Sequence, residues 1–275
     1  DRAKVNFGQR NFQYTVPSGY NALQSNNYAE PTIKNGKDHF EAVHYTGNSS
    51  SPPTISGLNF QPDLIWIKLR STTSNHSLYD SLRGATKIIC PSDSTNERTD
   101  GTVTPTSDGF TVGSENQVIG STNANNHTYV AWCWKAGTSY TPTVTGYTSP
   151  SAKINKTAGF GMYKMTGNNT ASSFTHGIIF AKKTSATENW AVIGPTNDAS
   201  AALSPNIYFH RLDLDDRVNK SSNVLNGISS TTLTFNNHNE VAGSGDYIFY
   251  CWHSVEGYSR IGSYRGNGSS NGAYI

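Results

Sequence analysis

Two blocks of this sequence are written twice, in the same order and at nearly the same distance. FEAVHYTGN at 40–48 returns as FGMYKMTGN at 160–168, so Phe40 matches Phe160 at an offset of 120. TYVAWCWKAG at 128–137 returns as DYIFYCWHSV at 246–255, so Tyr129, Cys133 and Trp134 match Tyr247, Cys251 and Trp252 at an offset of 118. Such agreement describes a duplicated module, and the fold must be one that can be built twice along the chain. Between the blocks, LIWIKLR at 64–70 corresponds to IIFAKK at 178–183. A third copy opens with GYSRIGSYRGN at 257–267 and stops at NGAYI. That is about 20 residues, too few to build a module of roughly 110.

The closing blocks alternate with period two, as strands do. Tyr129, Ala131 and Cys133 share one face, and Val130, Trp132 and Trp134 the other; in the second copy Tyr247, Phe249 and Cys251 oppose Ile248, Tyr250 and Trp252. Neither face is polar, which predicts central strands covered on both sides. DLIWIK at 63–68 reads the same way. Turn signals such as TGN, SPP, SDG, NG and GSG interrupt these runs often, and few windows carry a 3.6-residue period. Each repeat therefore reads as a β-sandwich of many short strands. The TGN triplet reads as a turn after the opening strand. Gly47 is expected at positive φ, with Asn48 beside it tolerating the left-handed region.

Composition narrows the class. Charged residues make up 15% and aromatic residues 11%, with 15 Tyr, so the chain has the rings for real cores and lacks the charge of a disordered one. The net charge of +2 comes without a Lys/Arg run, which argues against nucleic acid and anionic membrane as partners. No run of about 18 apolar residues offers a membrane span. The first residues, DRAKVNFGQRNF, lack the apolar stretch of a signal peptide. Cys90, Cys133 and Cys251 are too few and too far apart for a disulfide framework or a zinc site, and are expected as buried free thiols.

The ordered blocks FEAVHYTGN, ISGLNFQPDLIWIKLRS, HSLYDSLRG, TSDGFTVG and YVAWCWKAG resemble a lectin-like repeat domain of uncharacterised function in virion proteins of tailed phages, many of them marine. The segment HSVEGYSRIGSYRGNG at 253–268 is similar to the close of the second repeat in that family. VNFGQRNFQYTVPSGYNALQSNNYAEP at 5–31 is similar to the last strand and tail of SPRY-type, concanavalin-like domains. The resemblance implies an all-β chain of tandem concanavalin/jelly-roll-like antiparallel β-sandwiches. Residues 1–31 would be the C-terminal strand and tail of an upstream SPRY-like domain, 32–145 the first sandwich, 146–256 the second and 257–275 the start of a truncated third, all within a longer parent polypeptide. The second repeat departs from the family where HGIIFAKK replaces a longer loop with Pro-Asp, which the first copy keeps as Gln61-Pro62-Asp63. The family offers no catalytic residues to carry over.

Chemistry is faint. Glycoside hydrolysis needs two carboxylates flanking the bond, and the E-x-D-x-x-E strand of retaining glucanases is absent. The densest acidic cluster, RLDLDDR at 211–217, could place Asp213 and Asp215 on one strand face, but Arg211 and Arg217 make it read as a solvated charge patch. Asp213, Asp215, Asp216 and Asn219 could supply oxygen ligands to a hard cation, without the Gly and distal Glu of an EF-hand. No G-x-S-x-G elbow or phosphate-binding glycine loop occurs, and His76 and His127 sit in polar loops. No enzyme, metal or cofactor is expected.

Sugar binding fits the composition better, since lectin-like sites place an aromatic ring on the apolar face of a sugar and Asn or Asp on its hydroxyls. The candidates for such a ring are Trp132, Trp134 and Trp190, which could instead fill cores or contacts between modules. The resulting expectation is a virion structural protein, a tail fibre or other surface appendage, assembled in the bacterial cytoplasm and acting outside it. Its partners would be other virion proteins, further copies of itself in a homo-oligomer, and host surface glycans. The alternative is an architectural or capsid-decoration protein that binds no sugar; a glycan-degrading enzyme ranks third.

Overall fold

A computed structural model describes residues 15, 18, 30–49, 53–113, 120–142, 147–167, 172–173, 177–195, 207–214, 225–228, 232–235, 238–262, 264, 267–269 and 271. Residues 172–173, 195, 207–208, 225–228 and 232–234 are described as backbone alone. The described chain is all-β, with antiparallel sheets and a single 3-10 turn at Gly36–Asp38. No helix among the described residues is long and apolar enough to cross a membrane.

The strands follow the repeat. The first copy holds β1 (Phe40–Thr46), β2 (Thr54–Ser56), β3 (Leu64–Leu69), β4 (Ser77–Asp80), β5 (Val103–Thr106), β6 (Gly109–Val112) and β7 (Thr128–Trp134). Two strands then lead into the second copy, β8 (Thr138–Tyr140) and β9 (Tyr147–Asn155). It continues with β10 (Phe160–Gly167), β11 (Ser172–Ser173), β12 (Ile178–Lys183), β13 (Ala191–Pro195), β14 (Ile207–Arg211), β15 (Leu225–Ile228), β16 (Thr232–Phe235) and β17 (Asp246–Trp252). One sheet of the first copy has the order β1-β7-β3-β4, and the second copy repeats it as β10-β17-β12-β13, extended by β14 on one edge and by β9 and β8 on the other. The small sheets match as well, β2-β6-β5 against β11-β16-β15.

Register makes the equivalence residue-specific. Phe40 stands opposite Trp134 and Phe160 opposite Trp252. On the other side of each central strand, Leu64 faces Trp134 and Ile178 faces Trp252. Trp66 thus corresponds to Phe180 and Lys68 to Lys182. One step out, Tyr79 pairs with Ile65 and Ile193 with Ile179.

Period two in the sequence becomes two different burials in space. Tyr129, Ala131 and Cys133 of β7 join Ile65, Ile67, Val103, Phe110 and Val112 in a core shared by the two first-copy sheets. Tyr247, Phe249 and Cys251 of β17 join Tyr163, Ile179, Ile193 and Phe235 in the matching second-copy core. The remaining faces meet each other. Leu64, Leu78 and Ile89 of the first copy pack with Phe160, Met162, Trp190, Ile248 and Tyr250 of the second, flanked by Trp66, Trp134, Phe180 and Trp252. Both faces of β7 and β17 are apolar because one serves the repeat's own core and the other its neighbour.

Polar groups pin this junction. The Tyr250 hydroxyl donates to Asp80 Oδ2 at 2.6 Å, and Arg83 Nε donates to the same oxygen at 2.5 Å. Burial works against the Arg83 charge, but Asp80, Tyr250 and Glu97 outweigh it and raise its pKa. Asp63 is a second pin. Its Oδ2 accepts from the backbone N–H of Ala136 and of Gly137, and its Oδ1 from Ser81 Oγ and from Lys153 Nζ on β9. The Pro-Asp loop of the first copy therefore anchors the connection between repeats.

The TGN turns correct one expectation. Gly47 is not at positive φ. It is glycine because a Cβ would lie 2.3 Å from Ala124 O, and the left-handed residue nearby is Ser49, at φ 54°. In the second copy Gly167 does take a positive φ, 120°, while Asn168 lies outside the described residues. So do nearly all of residues 1–31, and Ser263, Arg265 and Gly266 of the third copy's opening SYRGN. Of the segment after β17, Tyr258 returns to meet the His39 ring edge-on at 6.1 Å.

Candidate functional site

A cleft of about 940 Å³ opens where β8, β9, β10 and β17 end beside the first copy. Its walls come from four stretches of the chain: His39, the connection at 135–140, the run 154–163 from the end of β9 into β10, and 251–253. Local chemistry builds each wall. Gly137 at φ 77° turns the chain out of β7 into β8, with its N–H held by Asp63. β8 then pairs with β9, setting Tyr140 opposite Ala152. Asn155 closes the next turn by accepting from Ala158 N–H, and its Nδ2 spans the repeats to Lys135 O at 3.0 Å and His39 Nδ1 at 2.9 Å. Gly159, at φ 67°, passes so near His253 that a Cβ would lie 2.6 Å from its carbonyl oxygen.

The floor is aromatic. Tyr140 is 41% exposed, and its ring stands at 84° to Tyr163 with centroids 6.4 Å apart. Gly161, opposite Cys251, leaves the floor low between Tyr163 and Ile154. Phe160 and Trp252 line the side nearest the first copy. Polar groups stand around these rings: His39, Lys135, Thr138, Asn155, Lys156 and His253. No Asp or Glu is among the described lining residues. Burial, then Lys135, lower the His39 pKa against the opposing pull of Asp38, so its imidazole is neutral near pH 7. Burial pushes the Cys251 thiol and the Tyr163 phenol up, so both keep their protons. The arrangement offers a ring face with neutral and cationic hydrogen-bonding groups beside it, which is the chemistry of holding a polar molecule that has an apolar face.

The described residues of the first copy differ at the corresponding place. At the register of Gly161 it carries Glu41, and at that of Tyr163 it carries Val43. Leu58 and Phe60, buried in the first-copy core, lie just before β3, and Asn59 between them donates to Asp38 at the start of β1. Seven residues separate β2 from β3, but four separate β11 from β12. The second copy lacks the length that carries the two plugging side chains.

The three candidate tryptophans do not meet at a surface. Trp190 is 0% exposed, with Nε1 donating to Cys90 O at 2.7 Å and its ring stacked on Tyr250. A ring so enclosed presents no face to a sugar, and the expected platform at Trp190 is corrected to a contact between repeats. Trp134 packs on Phe40, Phe160 and Trp252, with centroids 4.9, 6.2 and 5.8 Å away. Trp132, partly exposed, meets Trp66 edge-on at 6.2 Å. Sequence reasoning missed Tyr140, Asn155 and His39. The usable signal was Gly161 interrupting an aromatic strand where the following loop is also short.

The other candidates resolve locally. Asp213 Oδ1 accepts from Trp190 N–H at 2.9 Å, while Asp215, Asp216, Arg217 and Asn219 lie outside the described residues. His76 accepts from Trp66 Nε1, and His127 shares a hydrogen bond with Ser71. Among the described residues no group of His, Cys, Asp and Glu is placed to hold a metal ion.

Comparison with curated proteins and with solved structures gives no match. Residues 35–275 match a family described as a domain of unknown function, DUF7483, a span that takes in both repeats and every wall of the cleft. The chain belongs to that family.

Proposed function

We propose that the chain is a glycan-binding part of a phage virion, built from tandem concanavalin/jelly-roll-like sandwiches, with the second-repeat cleft as its sugar site. The observation that carries the reading is the exposed Tyr140 ring beside Asn155 and two imidazoles in a cleft of about 940 Å³. A saccharide has an apolar face for the ring and hydroxyls for the rest. The virion setting rests on the blocks that resemble tailed-phage proteins. In that setting weak single-site binding gains avidity from many copies, and the partners are other virion proteins, further copies of the chain and host surface glycans.

The test is titration of oligosaccharides from bacterial surface polysaccharides into the chain, alongside Tyr140→Ala. The expected result is millimolar to micromolar binding that the variant weakens by about tenfold or more. Silence across the panel would favour the architectural reading, in which the modules bind virion proteins and no sugar.

A further inference from the structure

Resting on the glycan reading of the cleft, we propose that its occupant is an acidic saccharide, whose carboxylate, sulfate or phosphate lies between Lys135 and Lys156. Half of the eight other described lysines are in ion pairs, among them Lys37 with Glu41, Lys87 with Glu97 and Lys153 with Asp63, and Lys68 and Lys182 donate to backbone carbonyls. Lys135 and Lys156 have no ion-pair partner among the described residues, yet both stand at the same opening. Their backbones are fixed there. Lys135 N–H donates to His39 O, Lys135 O accepts from Asn155 Nδ2, and Lys156 follows that asparagine directly.

The surroundings favour an anion. The nearest acid acting on His39 is Asp38, and its Oδ1 already accepts from Asn35 and Asn59. Two ammonium groups with no carboxylate among the described lining residues leave a local positive charge that an anion would neutralise. The exposed Tyr140 ring, standing at 84° to the buried Tyr163 ring beneath it, suits the apolar face of a puckered sugar ring. Glu41 holds the first-copy position that corresponds to Gly161. The cleft thus opens at the copy that lacks this carboxylate.

The experiment titrates the whole chain with a galacturonic acid trimer, its carboxyl-reduced galactose trimer, and a short DNA oligonucleotide of matched charge, at low and high salt. The acidic trimer should bind about tenfold tighter than the neutral one, the gain expected of two partly exposed ion pairs. That gain should vanish at high salt and in Lys135→Gln/Lys156→Gln, where the two trimers should bind equally. Gly161→Glu should abolish the acidic preference. It adds a residue that the first copy carries at this register, and a Cβ at 161 meets nothing closer than 3.4 Å. An unchanged melting curve confirms that the variant is folded. Equal binding of the two trimers overturns the anion inference and leaves the glycan reading intact. Binding of neither trimer, with a wider panel also silent, overturns both. DNA binding as tight as the acidic trimer, or a preference that survives the double variant, overturns the assignment to these lysines.

Discussion

The two repeats share strand order and register, and they differ at both ends of what a repeat must do. At the strand ends near Phe40 and Phe160, the first copy fills its core with Leu58 and Phe60 while the second leaves a cleft floored by Gly161. Across the face where the copies meet, equivalent positions have diverged. Lys68 donates to Ser74 O, and its counterpart Lys182 donates to Glu188 O, six residues on in both cases, but Lys182 also crosses to Ser94 O. His76 occupies the place that the second copy gives to Trp190. Asp80, which gathers Arg83 and Tyr250, is matched by Gly194. Duplication supplies two like arrangements of antiparallel strands, and a stable junction needs unlike side chains in like places. One copy contributes the ring and the other the carbonyl that receives it, or one the carboxylate and the other the hydroxyl.

The largest effect should come from the asymmetric charge. Arg83→Ala leaves Asp80 buried without its cation, and should cost about 3–5 kcal/mol in chemical denaturation. A loss below roughly 1 kcal/mol would show that the junction does not depend on this carboxylate. Next is the plug. Phe60→Ala should cost about 3 kcal/mol and open the first copy as the second already is. A crystal structure that shows the site collapsed, with no cavity, would break the link between loop length and cleft.

The smallest effect concerns Lys182, which is fully buried. Burial lowers its ammonium to about 8, against the opposing pull of Asp213, Glu188 and Asp93. Its folded pKa is below its unfolded one, so the unfolded chain binds more protons between pH 8 and about 10.5, and stability rises with pH across that window. The slope contributed is at most about 1.4 kcal/mol per pH unit. Burial raises Tyr147, Tyr163, Tyr247 and Tyr250, whose contribution falls above about pH 10 and would mask the trend in a single curve. The check is therefore the difference between the native chain and Lys182→Met, which should grow from pH 8 to 10. A flat difference would mean that Lys182 stays charged in the folded protein.

How much of this was legible in the amino acids depends on range. Strand class, the duplication, and the alternation that marks β7 and β17 as covered on both faces are local properties. They follow from period two and from turn residues, and one strand suffices to read them. The loss of the Pro-Asp loop in the second copy was also legible, as a difference in length. What covers each second face was not, because a pattern such as Val-Ala-Trp-Cys-Trp states that a face is apolar without naming its partner. Trp190 sits in a polar-looking loop, TENWAVIGP, and only the stacking of one repeat's large sheet on the other's encloses it. Gly47 is similar. Its sequence context suggests a dihedral requirement, yet the reason is the carbonyl of Ala124, brought close by the fold.

By itself, then, the sequence determined that this chain is a duplicated all-β protein with strands buried on both sides. Tertiary structure alone decided that the buried second faces are one another's partners, and that His39, Lys135, Asn155 and His253 share a cleft. The physical reason is that hydrophobic burial is non-directional: it rewards covering an apolar face, and leaves to shape, register and loop length the choice of what covers it.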